Sequence, residues 1–418
     1  MKNSIRKMLA LLLTLCLCFS LVGCGDNGGK GEEEIDDDGN PDLKGQTFVV
    51  GFFGNLPDEG DCLIQRNVIR LFVDKWNQEG TLYGATVKYV EYDNCNNGAQ
   101  DTEMSIKDAN KLISQDHANV IIPAQLSNII QATGNIINDA EVLDIGLGLS
   151  TTWMNQGWDY VYRSALNNDF AIPSIPEAMK SLKQENIAFL YENTDNCLTF
   201  RESFTKAITD AGLNIVVDEM VSSEGGTGNN GQIAKVIAAN PDCVFISGMG
   251  GNYPGFVNLL RSAGYEGMIY IGQSLMATEA PAIQAEYING IAAFAMYLAY
   301  DNIEDCTDPF IKDVLQQYKD KYGTVPTSDM TYKIWDAMLL IEKAVLEAKS
   351  LDPKEIQPVI KNLKFQGCGG TMDFTTGSNE CYFNTRLWVY TGSNSAGGAM
   401  LFEDWIESDY AKDIKITN

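Results

Sequence analysis

The chain has 418 residues, with 30 Lys and Arg against 56 Asp and Glu and a formal net charge of −26. So acidic a chain lacks the basic surface that phosphate contacts need, which sets nucleic-acid binding aside, and adhesion to anionic lipid by charge alone falls with it. From Gln46 onward the chain is long enough for two lobes with real cores.

Lys2, Arg6 and Lys7 make a basic start. Met8 to Gly23, "MLALLLTLCLCFSLVG", is an apolar run too short for a comfortable membrane span and reads as a signal peptide over residues 1–23. It runs into "LVGC", which resembles the bacterial lipoprotein box. That resemblance implies cleavage before Cys24, lipidation of Cys24, and an anchor in the outer face of the cytoplasmic membrane. Loss of residues 1–23 removes three basic and no acidic side chains, leaving 27 against 56 and a net charge of −29. Residues 24–45 are rich in Gly and acid and read as a flexible, self-repelling tether. The acids from Glu32 to Asp38 are read as a solvated spacer and not a calcium site.

Beyond the tether, short apolar runs alternate with segments of helical spacing. "TFVVGFF", "ATVKYVEYD", "ANVIIP" and "VLDIGLGLS" read as strands. Between them lie helices, one of them capped by Asp101. The pattern restarts at Asn186 and continues to Gln273 through the strands "NIAFLYE", "LNIVVDEMV", "DCVFISG" and "MIYIGQ". The predicted fold class is α/β, with two doubly wound parallel-sheet lobes. Ser328 to Ala348 reads as a long amphipathic helix, Gly369 to Gly392 as a hairpin, and residues 393–418 as a loosely held tail.

Of the ten cysteines, Cys16 and Cys18 fall in the signal and Cys24 at its end. The remaining seven show no C-x-x-C spacing, so a zinc ribbon or a thioredoxin-like site has no support. Bridges Cys62–Cys95 and Cys368–Cys381 both stay open.

In open parallel sheets, ligands bind beyond the carboxyl ends of the strands. Here those ends are small or polar, and two such edges facing each other make a cleft. Trp153, Trp158, Phe52, Phe53 and Tyr253 lie near strand ends and are candidates for an apolar wall.

The ordered set "IRLFVDKWNQEG" with "VKYVEYDN", "DYVYRSALNNDF", "NPDCVFISGMGGNYPGFVNLLRSAGY", "YKIWDAM" and "GCGGTMDFTTG" resembles the type I periplasmic binding proteins of the leucine/isoleucine/valine-binding kind. The resemblance spans roughly Gln46 to Gly392. It implies two lobes joined by a three-crossing hinge, residues 46–165 plus 297–366 in one and 166–296 plus 367–392 in the other. It further implies a monomer that needs no cofactor, is not an enzyme, closes on a small-molecule ligand and hands it to an ABC permease.

Carried over residue by residue, the resemblance places Ser127, Gly148 and Ser150 on the head group of an amino acid. Thr151, Trp153, Asn196, Met249, Gln273 and Ser274 complete the expected ligand set. The family's acidic partner for the ligand ammonium is replaced at Gln273 and Ser274, which argues against a simple α-amino acid. Asp61, Asp195 and Asn196 are the candidate substitutes. A sensory module on the same fold is the alternative reading, and an extracellular hydrolase a remote one.

"GTGNNG" at Gly226 to Gly231 matches G-x-G-x-x-G without a strand close before it and reads as a loop. His117, the only histidine, is expected at the end opposite the cleft, and no G-x-S-x-G occurs, so a Ser-His-Asp hydrolase is set aside.

Overall fold

Strands whose two faces are both covered by helices read as unbroken apolar runs, and those runs become the two sheets of this computed structural model. It describes residues 39–415 except 59, 97–98, 124, 166, 168–170, 223–227, 249–250, 382–385 and 394. Cys24 and Met249 therefore lie outside the described residues. The chain divides into residues 1–42 and a compact unit from Leu43 onward.

In chain order the first half contains β1 (Thr47–Gly54), α1 (Asp61–Glu79), β2 (Thr86–Asp93), the short pair β3 (Cys95–Asn96) and β4 (Ala99–Gln100), α2 (Thr102–Ser114), β5 (Val120–Pro123), α3 (Ser127–Asp139), β6 (Leu143–Gly146) and β7 (Val161–Arg163). The second half runs α4 (Ser174–Ser181), β8 (Asn186–Glu192), α5 (Asp195–Asp210), β9 (Asn214–Val221), α6 (Asn230–Ala239), β10 (Cys243–Ser247), α7 (Tyr253–Ser262), β11 (Met268–Ile271) and β12 (Ile291–Ala295). Three helices follow, α8 (Pro309–Tyr322), α9 (Met330–Ala348) and α10 (Pro353–Ile360). Then come β13 (Lys364–Gly367), β14 (Gly370–Asp373), β15 (Arg386–Tyr390), β16 (Ala399–Leu401) and α11 (Phe402–Trp405).

The first sheet has the order β2-β1-β5-β6-β7 and is parallel throughout. The second is β16-β15-β12-β11-β10-β8-β9, parallel from β12 to β9 with β15 and β16 antiparallel. Order reverses beside β1 and β5 in one lobe and beside β8 and β10 in the other, the switch points where a crevice opens. Asp101 caps α2 as its spacing predicts, accepting from Met104 N at 2.9 Å.

The late helices return to the first lobe. Trp76 of α1 donates to Glu342 of α9 at 2.7 Å, and Phe72 meets Trp335 edge-on at 4.8 Å. The second lobe is built round Phe189, Phe204 and Phe245, whose rings lie 4.6–6.0 Å apart. The chain passes between lobes three times: after β7, after β12, and between β14 and β15.

Four expectations are corrected. The run Val142 to Ser150 is a strand only as far as Gly146, because β7 offers partners only to Asp144, Ile145 and Gly146. Gly369 to Gly392 is not one hairpin: β14 pairs with β13, whereas β15 joins the second sheet. The tail expected to be loosely held is anchored over residues 395–415, since β16 pairs with β15 and Trp405 is fully buried. Helix α9 is amphipathic only toward its end, every residue from Met330 to Met338 being buried. The seven cysteines from Cys62 onward are free thiols, six of them buried and Cys95 half-buried. Among the described residues no helix is long and apolar enough to cross a membrane, and no cluster of metal-ligating side chains occurs.

Candidate functional site

Each parallel strand delivers its following loop to the same edge, and the two edges enclose a cleft of about 490 Å³. That is ample for a small ligand. The first lobe contributes Asp61 after β1, Gln125 and Ser127 after β5, and Leu147 and Leu149 after β6. Thr194, Asp195 and Asn196 after β8, Gly248 after β10 and Gln273 after β11 face them from the second lobe. One group breaks this strand-end rule: Ser328, Asp329, Met330 and Lys333, from the start of α9.

Three helices begin at the cleft with their N–H groups and positive dipole ends toward it. Ser127 opens α3, and its cap, Leu126, has no side chain able to bond the first turn. Helix α5 is capped by Thr194, whose Oγ1 accepts from Cys197 N at 3.2 Å. Asp61 opens α1 and accepts from Gln125 Nε2 at 3.0 Å.

The loop after β6 is pressed onto α3. A Cβ on Gly148 would stand 2.7 Å from Ser127 Oγ and 2.9 Å from Ile130 Cδ1, so only glycine allows this approach. Ser127 Oγ then accepts from Ser150 N at 3.2 Å. Behind the loop, the fully buried Arg163 donates to the carbonyls of Leu149 (3.2 Å) and Ser150, lies 4.3 Å over the Trp153 ring, and faces Glu380 at 3.6 Å.

These contacts sort the expected ligand residues. Ser127, Asn196 and Gln273 line the cleft. Gly148 shapes its floor from behind, while Thr151 is half-buried off the wall. Trp153 is fully buried beneath Arg163 and off the wall; Ser150 is also fully buried, its carbonyl held by Arg163 and its hydroxyl toward Thr152 and, across the lobes, Thr199. Ser274 is 3% exposed and off the wall, its hydroxyl without a hydrogen-bond partner among the described residues. Phe52, Phe53 and Tyr253 are core residues, and the Tyr253 hydroxyl donates to Gly248 O at 3.0 Å. Trp158 packs over Gly134. His117 is exposed ahead of β5, at the far end of the sheet.

The acid missing after β11 is supplied elsewhere. Asp61 and Asp195, expected as substitutes, both line the cleft, and Asp329 joins them. Three carboxylates thus line the cleft although none follows β11. Lys333 Nζ is 3.0 Å from Asp329 Oδ2. Glu279, 2% exposed, accepts from Met276 N at 2.7 Å and from Gly251 N. Burial, aided by the Asp329 and Asp61 carboxylates, pushes its pKa up to about 7. A small recess of about 20 Å³ shares Leu149, Gln273, Asp329 and Lys333 with the cleft and adds Tyr297.

Sequence reasoning missed Asp329, Lys333, Gln125 and Thr194. A usable signal existed for two of them, an Asp and a Lys four residues apart in the apolar "SDMTYKIWDAMLL". Across the cleft Ala277 N donates to Thr327 O at 2.8 Å, and Ser150 Oγ approaches Thr199 Oγ1 at 3.5 Å.

Residues 64–398, most of the chain, match the family described as periplasmic binding protein. The chain belongs to this family. Its two lobes and three crossings are those of the type I, leucine/isoleucine/valine-binding kind. The Leu/Ile/Val-binding protein homolog 7 of Brucella suis biovar 1 (strain 1330) is 23% identical over 310 residues, 70% of this chain and 74% of that one. Among solved structures, the branched-chain amino acid transporter substrate binding protein LivJ from Streptococcus pneumoniae, in complex with isoleucine, has a TM-score of 0.72. It is 18% identical, over 85% of this chain and 99% of that one. A solute binding protein of an ABC transporter from Rhodopseudomonas palustris BisB5, in complex with 3,4-dihydroxybenzoic acid, also has a TM-score of 0.72. It is 17% identical, over 85% and 95% of the two chains. At these identities the solved structures establish a shared fold and nothing finer.

Proposed function

We propose that this periplasmic binding protein is an extracytoplasmic, lipid-anchored solute receptor of an ABC importer, closing on a small amino acid or a related carboxylate or amide. One observation carries the reading: polar groups of both lobes converge on one cleft, Asp61 and Ser127 from one side and Asn196 and Gln273 from the other. Only a closed arrangement makes both sets of contacts, so a ligand that uses both selects it.

The first turns of α3 and α5 favour a carboxylate. Asp61 and Asp195 favour an ammonium, Asp329 being already paired with Lys333. The ligands of the two solved relatives, isoleucine and a benzoic acid, share a carboxyl group, which supports this head-group assignment.

A thermal-shift panel of amino acids, amides and small carboxylates tests the reading. A ligand present at about 100 times its Kd stabilises by about 2.7 kcal/mol. No shift with any of them at millimolar concentration removes the proposal. The anchor is checked separately: Cys24→Ala is expected to release the protein from membranes into the soluble fraction.

A further inference from the structure

The start of α9 places an ion pair on the cleft wall where packing alone does not call for one. Lys333 Nζ stands 3.1 Å from Asp329 Oδ1 and 3.0 Å from Oδ2, with side-chain exposures of 9% and 15%. Desolvating such a pair generally costs more than an apolar replacement would, and Tyr332, Ile334 and Trp335 beside it are apolar or aromatic and buried. Among the described residues, each charged group hydrogen-bonds only the other. An ammonium has three donors and a carboxylate about four acceptor sites, so both retain unused capacity. The same recess is walled by the apolar Leu149, Phe294 and Met296, and its further polar groups are Gln273 and Tyr297, which is 5% exposed and whose hydroxyl lacks a hydrogen-bond partner among the described residues.

We propose that this recess recognises a neutral group that both donates and accepts hydrogen bonds, a carboxamide or urea-type end, on a ligand whose carboxylate sits at the first turns of α3 and α5. The inference rests on the solute-binding reading above. Its basis is that the pair is neutral as a whole. A carboxamide oxygen accepts from Lys333 while its NH2 donates to Asp329, and the pair stays intact. A carboxylate end would draw Lys333 away and leave Asp329 uncompensated, and an ammonium end would do the reverse. An aliphatic end would displace water and leave donors and acceptors unfilled. Sites built to hydrogen-bond a substrate reject analogues that lack the group far more strongly than apolar pockets reject an extra methylene.

Isothermal titration of the full mature chain with L-asparagine and L-glutamine, against L-leucine, L-aspartate, L-glutamate and L-lysine, decides it. At least one carboxamide is expected to bind at least about 10-fold more tightly than its apolar and charged near-isosteres. That ratio is expected to fall to within about 3-fold in Lys333→Met and in the double variant Asp329→Asn/Lys333→Met, which leaves no lone buried charge. Tighter binding of leucine, or of any charged analogue, overturns the proposal while leaving the solute-binding reading intact. So does a ratio that survives in the double variant. If neither these compounds nor benzoate binds, both readings fall together.

Discussion

Arg163 is a full cationic side chain with no exposed surface, and its contacts show why the fold keeps it. Its guanidinium ties the loop after β6 to the third crossing through Leu149 O, Ser150 O and Glu380. Arg163→Met leaves two carbonyls without their donor and removes the cation facing Glu380, whose remaining donor among the described residues is Asn167 Nδ2, so a loss of about 3–5 kcal/mol is expected in urea unfolding. Asp336 is another fully buried ionisable side chain. It accepts from Cys368 N at 2.6 Å and Gly369 N at 3.3 Å, and burial pushes its pKa up to about 7. A raised carboxyl pKa means the folded state holds a proton that the unfolded state has released. Stability therefore falls as pH rises from about 4 to about 7, by at most about 1.4 kcal/mol per pH unit for one group. Glu279 acts in the same sense. Asp336→Asn is expected to flatten this slope, read from urea midpoints between pH 5 and 8. An unchanged slope would show that Asp336 does not titrate there.

At the scale of elements, the loop after β6 and helix α3 act as one unit through Gly148. An added methyl meets Ser127 Oγ and Ile130 at under 3 Å, so the loop has to lift. Gly148→Ala is expected to cost about 1–3 kcal/mol and to weaken ligand binding by shifting Ser127. A variant with native melting and native affinity would show that the contact is dispensable. Helix α9 is the other decisive element. Its second half packs on α1, while its first two turns lie buried between the lobes' chemistry and the crossings. That double duty explains why one helix carries both the Asp329–Lys333 pair and Asp336.

The whole molecule is a pair of sheets whose switch points face each other, held by three crossings and bridged by Ala277–Thr327 and Ser150–Thr199. Under hinge closure, small-angle scattering is expected to give a larger radius of gyration without ligand than with it. Superimposable profiles would count against closure. The alternation of apolar runs and helical spacing made both sheets legible, because strands covered on both faces leave an apolar signature in the sequence itself. The loop at 147–150 looked like more strand, since only the short partner β7 shows where pairing stops. Asp61, Ser127, Asn196 and Gln273 were legible because each closely follows a strand end. Lys333 was not, because its nearness to Gln273 joins residues 60 positions apart through the crossings.

What the sequence determined by itself is the order and kind of elements, and hence which loops reach the cleft edges. These follow from local periodicity, capping and turn chemistry. Only the tertiary structure decided which side chains at those edges face the cleft. Trp153 turns inward beneath Arg163, which meets Glu380, 217 positions further along the chain. The carboxylates of the cleft come from α1, α5 and the start of α9, because where a charge can be compensated is set by packing between distant segments.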